Sequence, residues 1–175
     1  INTAFANQNF LPLSIGYLGA YTQKYLPDAE RFNFLFPIYK RMPVETAVEQ
    51  LKNADIVFFS TYVWNFNLSR EIAKRMKQLK PEVITVFGGC QIPEKSTKDY
   101  ARGTEDFLRT HPYIDIASTG EGEGAFLSVL ERFPSVKKNI PKTEQDLAAL
   151  LTDQVYADIE DKRRLDTKVQ EKLAT

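Results

Sequence analysis

The chain has 175 residues, 43% hydrophobic and 26% charged, which predicts one globular domain with a real core and room for an extra segment. Lys plus Arg and Asp plus Glu balance at 23 each, so the charge pattern gives no reason to expect nucleic acid as a partner. The single cysteine, Cys90, excludes an internal disulfide framework, and no apolar stretch approaches the roughly 20 residues that cross a bilayer. A reducing, cytoplasmic setting without a membrane partner is the expectation. The chain opens on Ile1-Asn-Thr-Ala without methionine, which reads as a piece of a longer protein.

A first strand is expected near Ile1 to Ala4, followed by the loop Phe5 to Pro12. Pro12 suits a helix start, and Ile15, Leu18, Thr22 and Leu26 would form one stripe. Gly16 and Gly19 inside that helix cost about 1 kcal/mol each against alanine. Close helix–sheet packing or a large ligand across the first turn would each account for them. Arg31 to Phe36 alternates as a second strand, with Phe32, Phe34 and Phe36 on one face, and Pro43 to Asn53 reads as a second helix.

Ile56-Val-Phe-Phe59 is apolar throughout, as in a strand buried on both sides of a parallel sheet. Ser60, Thr61, Tyr62, Trp64 and Asn65 follow it, rich in hydrogen-bonding and flat aromatic groups. Leu68, Ile72, Met76 and Leu79 then recur at helical spacing, with Asn67 as the expected N-cap and Pro81 as the stop. Val83 to Phe87 is a fourth strand ending in Gly88-Gly89-Cys90-Gln91. A polar loop to Tyr100 and a helix from Arg102 to Thr110 come next. Tyr113 to Ala117 is a fifth strand, and Ser118 to Gly124 leads into a helix carrying Phe126, Val129, Leu130 and Phe133.

Five strands alternating with helices predict a doubly wound, mostly parallel α/β sheet of the flavodoxin-like or Rossmann-like kind. In the order 2-1-3-4-5 the loops after strands one, three and four line one crevice, with the fifth alongside. This domain is expected over 1–133. Residues 134–175 read as a linker, Pro134 to Pro141, and a charged helical segment on the domain edge.

Known chemistries of such folds can be tested residue by residue. Gly120-x-Gly122-x-x-Ala125 formally matches a dinucleotide fingerprint, but it follows the fifth strand. Glu121 and Glu123 would also set carboxylates beside the phosphates, a repulsion of around 4 kcal/mol at about 4 Å. A phosphoacceptor domain needs an acidic cluster after strand one and an Asp after strand three, where this chain has Asn2-Thr3-Ala4 and Ser60-Thr61-Tyr62. Phe5 to Pro12 is not the Ser/Thr/Gly-rich phosphate loop of a flavodoxin. His111, the only histidine, precedes the fifth strand and falls on the edge away from the crevice, and the lone Cys90 holds neither an iron–sulfur cluster nor a structural zinc. Gly88 and Gly89, facing the Ser60–Asn65 loop, suggest a flat ligand pressed on the backbone.

Phe59-Ser-Thr-Tyr-Val-Trp-Asn, Phe87-Gly-Gly-Cys and Asp115-Ile-Ala-Ser-Thr-Gly-Glu-Gly-Glu together resemble the N-terminal cobalamin-binding domain of B12-dependent radical SAM enzymes. The helix start Pro12-Leu-Ser-Ile-Gly-Tyr-Leu-Gly-Ala fits as well, and the resemblance covers about residues 1–133. It implies a corrin on the C-terminal edge of the sheet with its nucleotide tail passing into the sheet. Ser60, Thr61 and Tyr62 match a Ser-x-Leu segment, Tyr62 departing from Leu, and Val63, Trp64 and Asn65 continue the corrin-facing loop. Gly88 and Gly89, followed by Cys90, match the glycine pair near the tail, and Thr119, Gly120, Glu121, Gly122 and Glu123 the loop beside it.

The resemblance has two departures. The Asp-x-His-x-x-Gly motif that supplies a lower cobalt ligand is missing, so no histidine of this chain is expected on cobalt. The Cys-x-x-x-Cys-x-x-Cys motif of a [4Fe–4S] cluster is also missing, so the cluster and S-adenosylmethionine are expected in a radical SAM barrel elsewhere in the parent chain. The implied activity is methyl transfer from S-adenosylmethionine to cobalt and then to an unactivated carbon or phosphorus, with no catalytic residue from this segment. The rival readings are a flavodoxin-like module binding another ligand or partner, and an α/β transferase using Glu121 or Glu123 on a sugar nucleotide.

Overall fold

The computed structural model describes residues 1, 3, 13–93 and 103–133. The Phe5–Pro12 loop, most of the polar loop before Tyr100 and all of 134–175 lie outside the described residues. The chain divides after Leu127, and Ile1–Leu127 holds the sheet. Of the second unit only Ser128–Phe133, the end of the last helix, is described.

The described order is α1 (Leu13–Tyr25), a short 3-10 turn (Ala29–Arg31), α2 (Val44–Leu51), β1 (Ile56–Ser60), α3 (Phe66–Leu79), β2 (Ile84–Gly88), α4 (Gly103–Thr110), β3 (Ile116–Ser118) and α5 (Gly122–Arg132). The strands form a parallel sheet in the order β1-β2-β3. The α/β alternation therefore stands, but three strands are formed among the described residues where five were expected. Of the first expected strand, Ile1 donates through its nitrogen to Phe58 O (2.5 Å) and accepts from Ser60 N (2.9 Å), bracketing Phe59 as a parallel neighbour does. The second expected strand is not formed among the described residues. Residues 33–39 join no sheet ladder there, and Phe34, Leu35 and Phe36 are 46%, 45% and 77% exposed. Alternation alone cannot make a strand, because the pairing needs a neighbour's N–H and C=O groups.

β2 is the strand buried on both faces, each residue from Ile84 to Phe87 being buried. β1, expected in that role, alternates: Val57 and Phe59 are buried while Ile56 and Phe58 are half-buried. Phe59 stacks on Phe87 (4.4 Å), and Phe66 of α3 meets Phe87 edge-on, so one face of the sheet is covered by α3. Phe58 meets Phe126 of α5 at 4.2 Å on the other. The sheet is thus covered on two sides, as a parallel sheet requires.

α3 buries Ser69, Ile72, Ala73 and Met76, a stripe at spacings of three and four. Leu79, expected in the stripe, is 57% exposed. The helix starts at Phe66 with Asn65 in the N-cap position, two residues before the expected Asn67. It ends at Leu79 with Lys80 as its C-cap, whose N–H still reaches Met76 O, and Pro81 prevents a further turn.

The N-terminal edge of the sheet is pinned by ion pairs. Lys77 reaches Asp115 at 2.6 Å and Val83 O at 2.5 Å, while Asp115 Oδ2 accepts from Thr85 N at 2.7 Å. The carboxylate so extends the β2–β3 ladder to the residue before Ile116, where β3 begins. Lys80 similarly binds Asp55 and Ala54 O ahead of β1. Asp115→Ala would leave Lys77 and the Thr85 N–H short of a partner in a largely buried place, and we expect a loss of about 2–4 kcal/mol. Lys77→Met should cost less, because Asp115 keeps Thr85; urea midpoints of the two variants measure the difference.

Candidate functional site

Parallel register aligns the ends of the three strands, with Ser60 beside Gly88 and Gly88 beside Ser118. The loops Thr61–Asn65, Gly89–Ile92 and Thr119–Glu121 leave from this row at one edge. The expected site residues are therefore gathered at a single sheet edge. Ser118, just before the expected Thr119–Glu123 segment, completes the row; it belongs to the strand, which runs one residue past the expected end at Ala117.

The first two loops are sewn together by backbone. Gly88 O accepts from both Thr61 N (2.7 Å) and Thr61 Oγ1 (2.8 Å), and the Thr61 side chain is fully buried. Gly89 has φ +100°, and a Cβ there would stand 2.6 Å from Thr61 O and 3.0 Å from Thr61 N. A packed backbone thus accounts for the second glycine, where a ligand pressed on the chain had been expected. Gly88 is less constrained, since a Cβ there would meet only the Cβ and O of Ser118, at 3.8 Å, among the described residues. Ile92 N closes the turn onto Gly89 O (3.0 Å), which leaves Cys90 exposed as a free thiol.

Beyond Thr61 the chain makes a turn, with Asn65 N and Phe66 N both donating to Tyr62 O. The Tyr62 and Trp64 rings stack 4.7 Å apart and 2° from parallel. Val63 and Trp64 are 74% and 39% exposed, and Arg41 donates to Trp64 O. Asn65, expected on the ligand side, is instead fully buried. Its Oδ1 accepts from Tyr62 N (2.7 Å), and its Nδ2 donates to Ser60 O (3.0 Å) and Thr3 O (3.5 Å). Thr3 is also buried, and among the described residues its hydroxyl has no hydrogen-bond partner.

In the third loop Gly120 has φ +76° and a Cβ there would meet nothing within 4 Å among the described residues, and Thr119, Glu121 and Gly122 are exposed. Glu123 lies in the first turn of α5, where a carboxylate is favoured by the helix dipole. A Cβ on Gly122 would meet Leu18 at 3.6 Å, so this turn packs beside α1. Gly16 and Gly19 of α1 have nothing within 4 Å among the described residues, against the close-packing account of them.

His111 is held elsewhere. Its ring stacks on Phe107 (4.5 Å), its Nδ1 is 2.6 Å from Phe107 O, and Tyr113 meets it edge-on. Among the described residues no group of three or more His, Cys, Asp or Glu side chains could hold a metal ion. No described helix is long and apolar enough to cross a membrane.

The two glycines make a sharp comparison. Gly89→Ala combines a left-handed backbone with a backbone clash, and should cost about 1–3 kcal/mol and displace the Thr61 loop. Gly88→Ala meets only ordinary contacts and should stay within about 1 kcal/mol of the parent. Thermal melting of the two variants checks the order.

Residues 38–130 match the family model described as the B12 binding domain. Over 121 residues the chain is 33% identical to the cobalamin-dependent radical SAM methyltransferase TokK of Streptomyces tokunonensis. Over the same length it is 31% identical to the 2-(S-pantetheinyl)-carbapenam-3-carboxylate methyltransferase of Streptantibioticus cattleyicolor. Each match covers 69% of this chain but only 17% of the relative, so the chain spans a small part of the proteins it resembles. A matched region running from Ile38 to Leu130 takes in all three strands and every loop of the edge just described, and the chain belongs to the B12-binding domain family.

Proposed function

We propose that the chain is the cobalamin-binding module of a larger radical SAM methyltransferase and holds the corrin without a histidine ligand from its own residues. The observation that carries this is the edge itself: a parallel row, Ser60–Gly88–Ser118, bare at its centre and flanked by an exposed aromatic loop. The residues fit the cofactor in kind. Gly88 leaves room between two small hydroxyl side chains for a flat group entering the sheet. Trp64 and Val63 offer apolar area to a broad ring, and the buried Thr3 hydroxyl and open Gly120 leave polar groups and space beside it. Bound cobalamin would supply the methyl-transfer chemistry; the radical SAM barrel of the parent chain would supply the [4Fe–4S] cluster and S-adenosylmethionine.

On this reading the residues of this chain bind and orient, and none moves a proton. Ser60 and Ser118 donate or accept at the mouth of the cleft, Tyr62 and Trp64 form a wall at the corrin, and the Thr119–Glu123 loop borders the tail. Within the parent chain, Ile1 to Ala4 and Arg31 to Phe36 would add two further strands beyond β1. The bracketing of Phe59 by Ile1 supports the first of them.

The test is retention of cofactor. The purified chain, incubated with hydroxocobalamin and desalted, should keep corrin absorbance in the visible spectrum. His111→Ala should leave both the amount retained and the spectrum unchanged, because that ring is spent on Phe107 and Tyr113. No retained absorbance under oxidising or reducing conditions would overturn the reading for this chain. A spectrum that moves with His111→Ala would overturn the assignment of the lower face.

A further inference from the structure

Asn65 sits in the loop whose neighbours Val63 and Trp64 face solvent, yet it is itself fully buried. It occupies the N-cap position of α3 but makes no side-chain cap bond there. Its amide turns back into the sheet edge instead. We propose that Asn65 is a positioning residue, which sets the Tyr62–Trp64 ring pair through its side-chain amide and does not touch the cofactor. The functional half of this inference rests on the cobalamin reading above; the structural half does not.

The bonding pattern requires an amide. One acceptor faces Tyr62 N–H at 2.7 Å, and the NH2 group on the other side faces two carbonyls, Ser60 O at 3.0 Å and Thr3 O at 3.5 Å. Only Asn offers this acceptor and these donors in one short planar group. Aspartate has the same shape but would turn a bare oxygen toward two carbonyl oxygens. Alanine would leave buried backbone groups without partners. The bond to Tyr62 is reciprocal, since Asn65 N–H also donates to Tyr62 O (3.1 Å). Residues 62–65 are thus locked at both ends, and the rings of Tyr62 and Trp64 project from that lock in parallel. Through Ser60 and Thr3 the same amide joins the end of β1 to the start of the chain, so it couples two walls of the crevice. Tyr62 is half-buried and Trp64 39% exposed, and the hydrogen bonds at Tyr62 and Asn65 set where the two rings leave the backbone.

Trp64 is the only tryptophan in the chain, so its signal reports this loop alone. The experiment compares the unmodified chain with Asn65→Asp and Asn65→Ala. It reads near-ultraviolet circular dichroism and acrylamide quenching of Trp64 without corrin, far-ultraviolet circular dichroism for the fold, and then hydroxocobalamin affinity. Both variants should keep their helix signal, lose the near-ultraviolet band of the stacked pair, and expose Trp64 to quencher. Affinity should fall about tenfold in each, with Asn65→Asp no better than Asn65→Ala although aspartate keeps the shape of the native side chain. A folded Asn65→Asp chain with an unchanged Trp64 signal would overturn the placement. A changed Trp64 signal with unchanged affinity would overturn the role toward the cofactor. Hydrogen exchange at the Tyr62 amide of the unmodified chain guards against variants that do not fold: exchange should be slow, and fast exchange there would overturn the lock. Failure of the unmodified chain to bind hydroxocobalamin counts against the cofactor reading, while the Trp64 and exchange readouts decide the placement without corrin.

Discussion

The carbonyl of Gly88 accepts two bonds from Thr61, one from its N–H and one from its hydroxyl, and the shape of the candidate site depends on that contact. It continues the β1–β2 ladder one step past the strands, so two loops that could diverge leave the sheet in contact. A carbonyl has two lone pairs, and both are used at this half-buried strand end. Gly89 then has no freedom to carry a side chain. The aromatic loop starts from a fixed point.

The two edges of the sheet are held by different forces. At the N-terminal edge, Lys77–Asp115 and Lys80–Asp55 bring charge to the strand starts. At the C-terminal edge the contacts through Thr61, Gly88 and Asn65 are neutral hydrogen bonds. A charge buried beside a ligand cleft must be desolvated again when the ligand arrives, whereas a neutral bond already satisfied within the protein does not change. Charged contacts and neutral ones are so placed at opposite ends of the same strands.

Much of this was legible in the residues. The apolar runs at Ile56 and Val83 located two adjacent parallel strands, and the turn residues after them lie at one sheet edge. What misled was partner dependence. Phe32-Asn-Phe-Leu-Phe alternates like a strand, but it joins no sheet ladder among the described residues. Asn67 and Asn65 are equally good caps by type. Only the fold shows that the helix begins at Phe66 and that Asn65 is committed to Ser60 and Thr3, the latter 62 residues away. Gly88-Gly89 was recognised as a point of close approach, yet residue type does not say whether a ligand or the chain itself approaches. Thr61, by its position after a strand, gave no local sign that its backbone was the neighbour.

The clash that excludes a side chain at Gly89 is with the backbone atoms of Thr61, not with its side chain. Most packing conflicts can be relieved from either side, since a larger residue at one position is accommodated by a smaller one at the other. Here the second side has nothing to trim, because every amino acid carries the same carbonyl. The constraint therefore runs one way. Position 61 can vary, at the cost of its hydroxyl bond, without releasing position 89, and no substitution at 61 can rescue a side chain at 89.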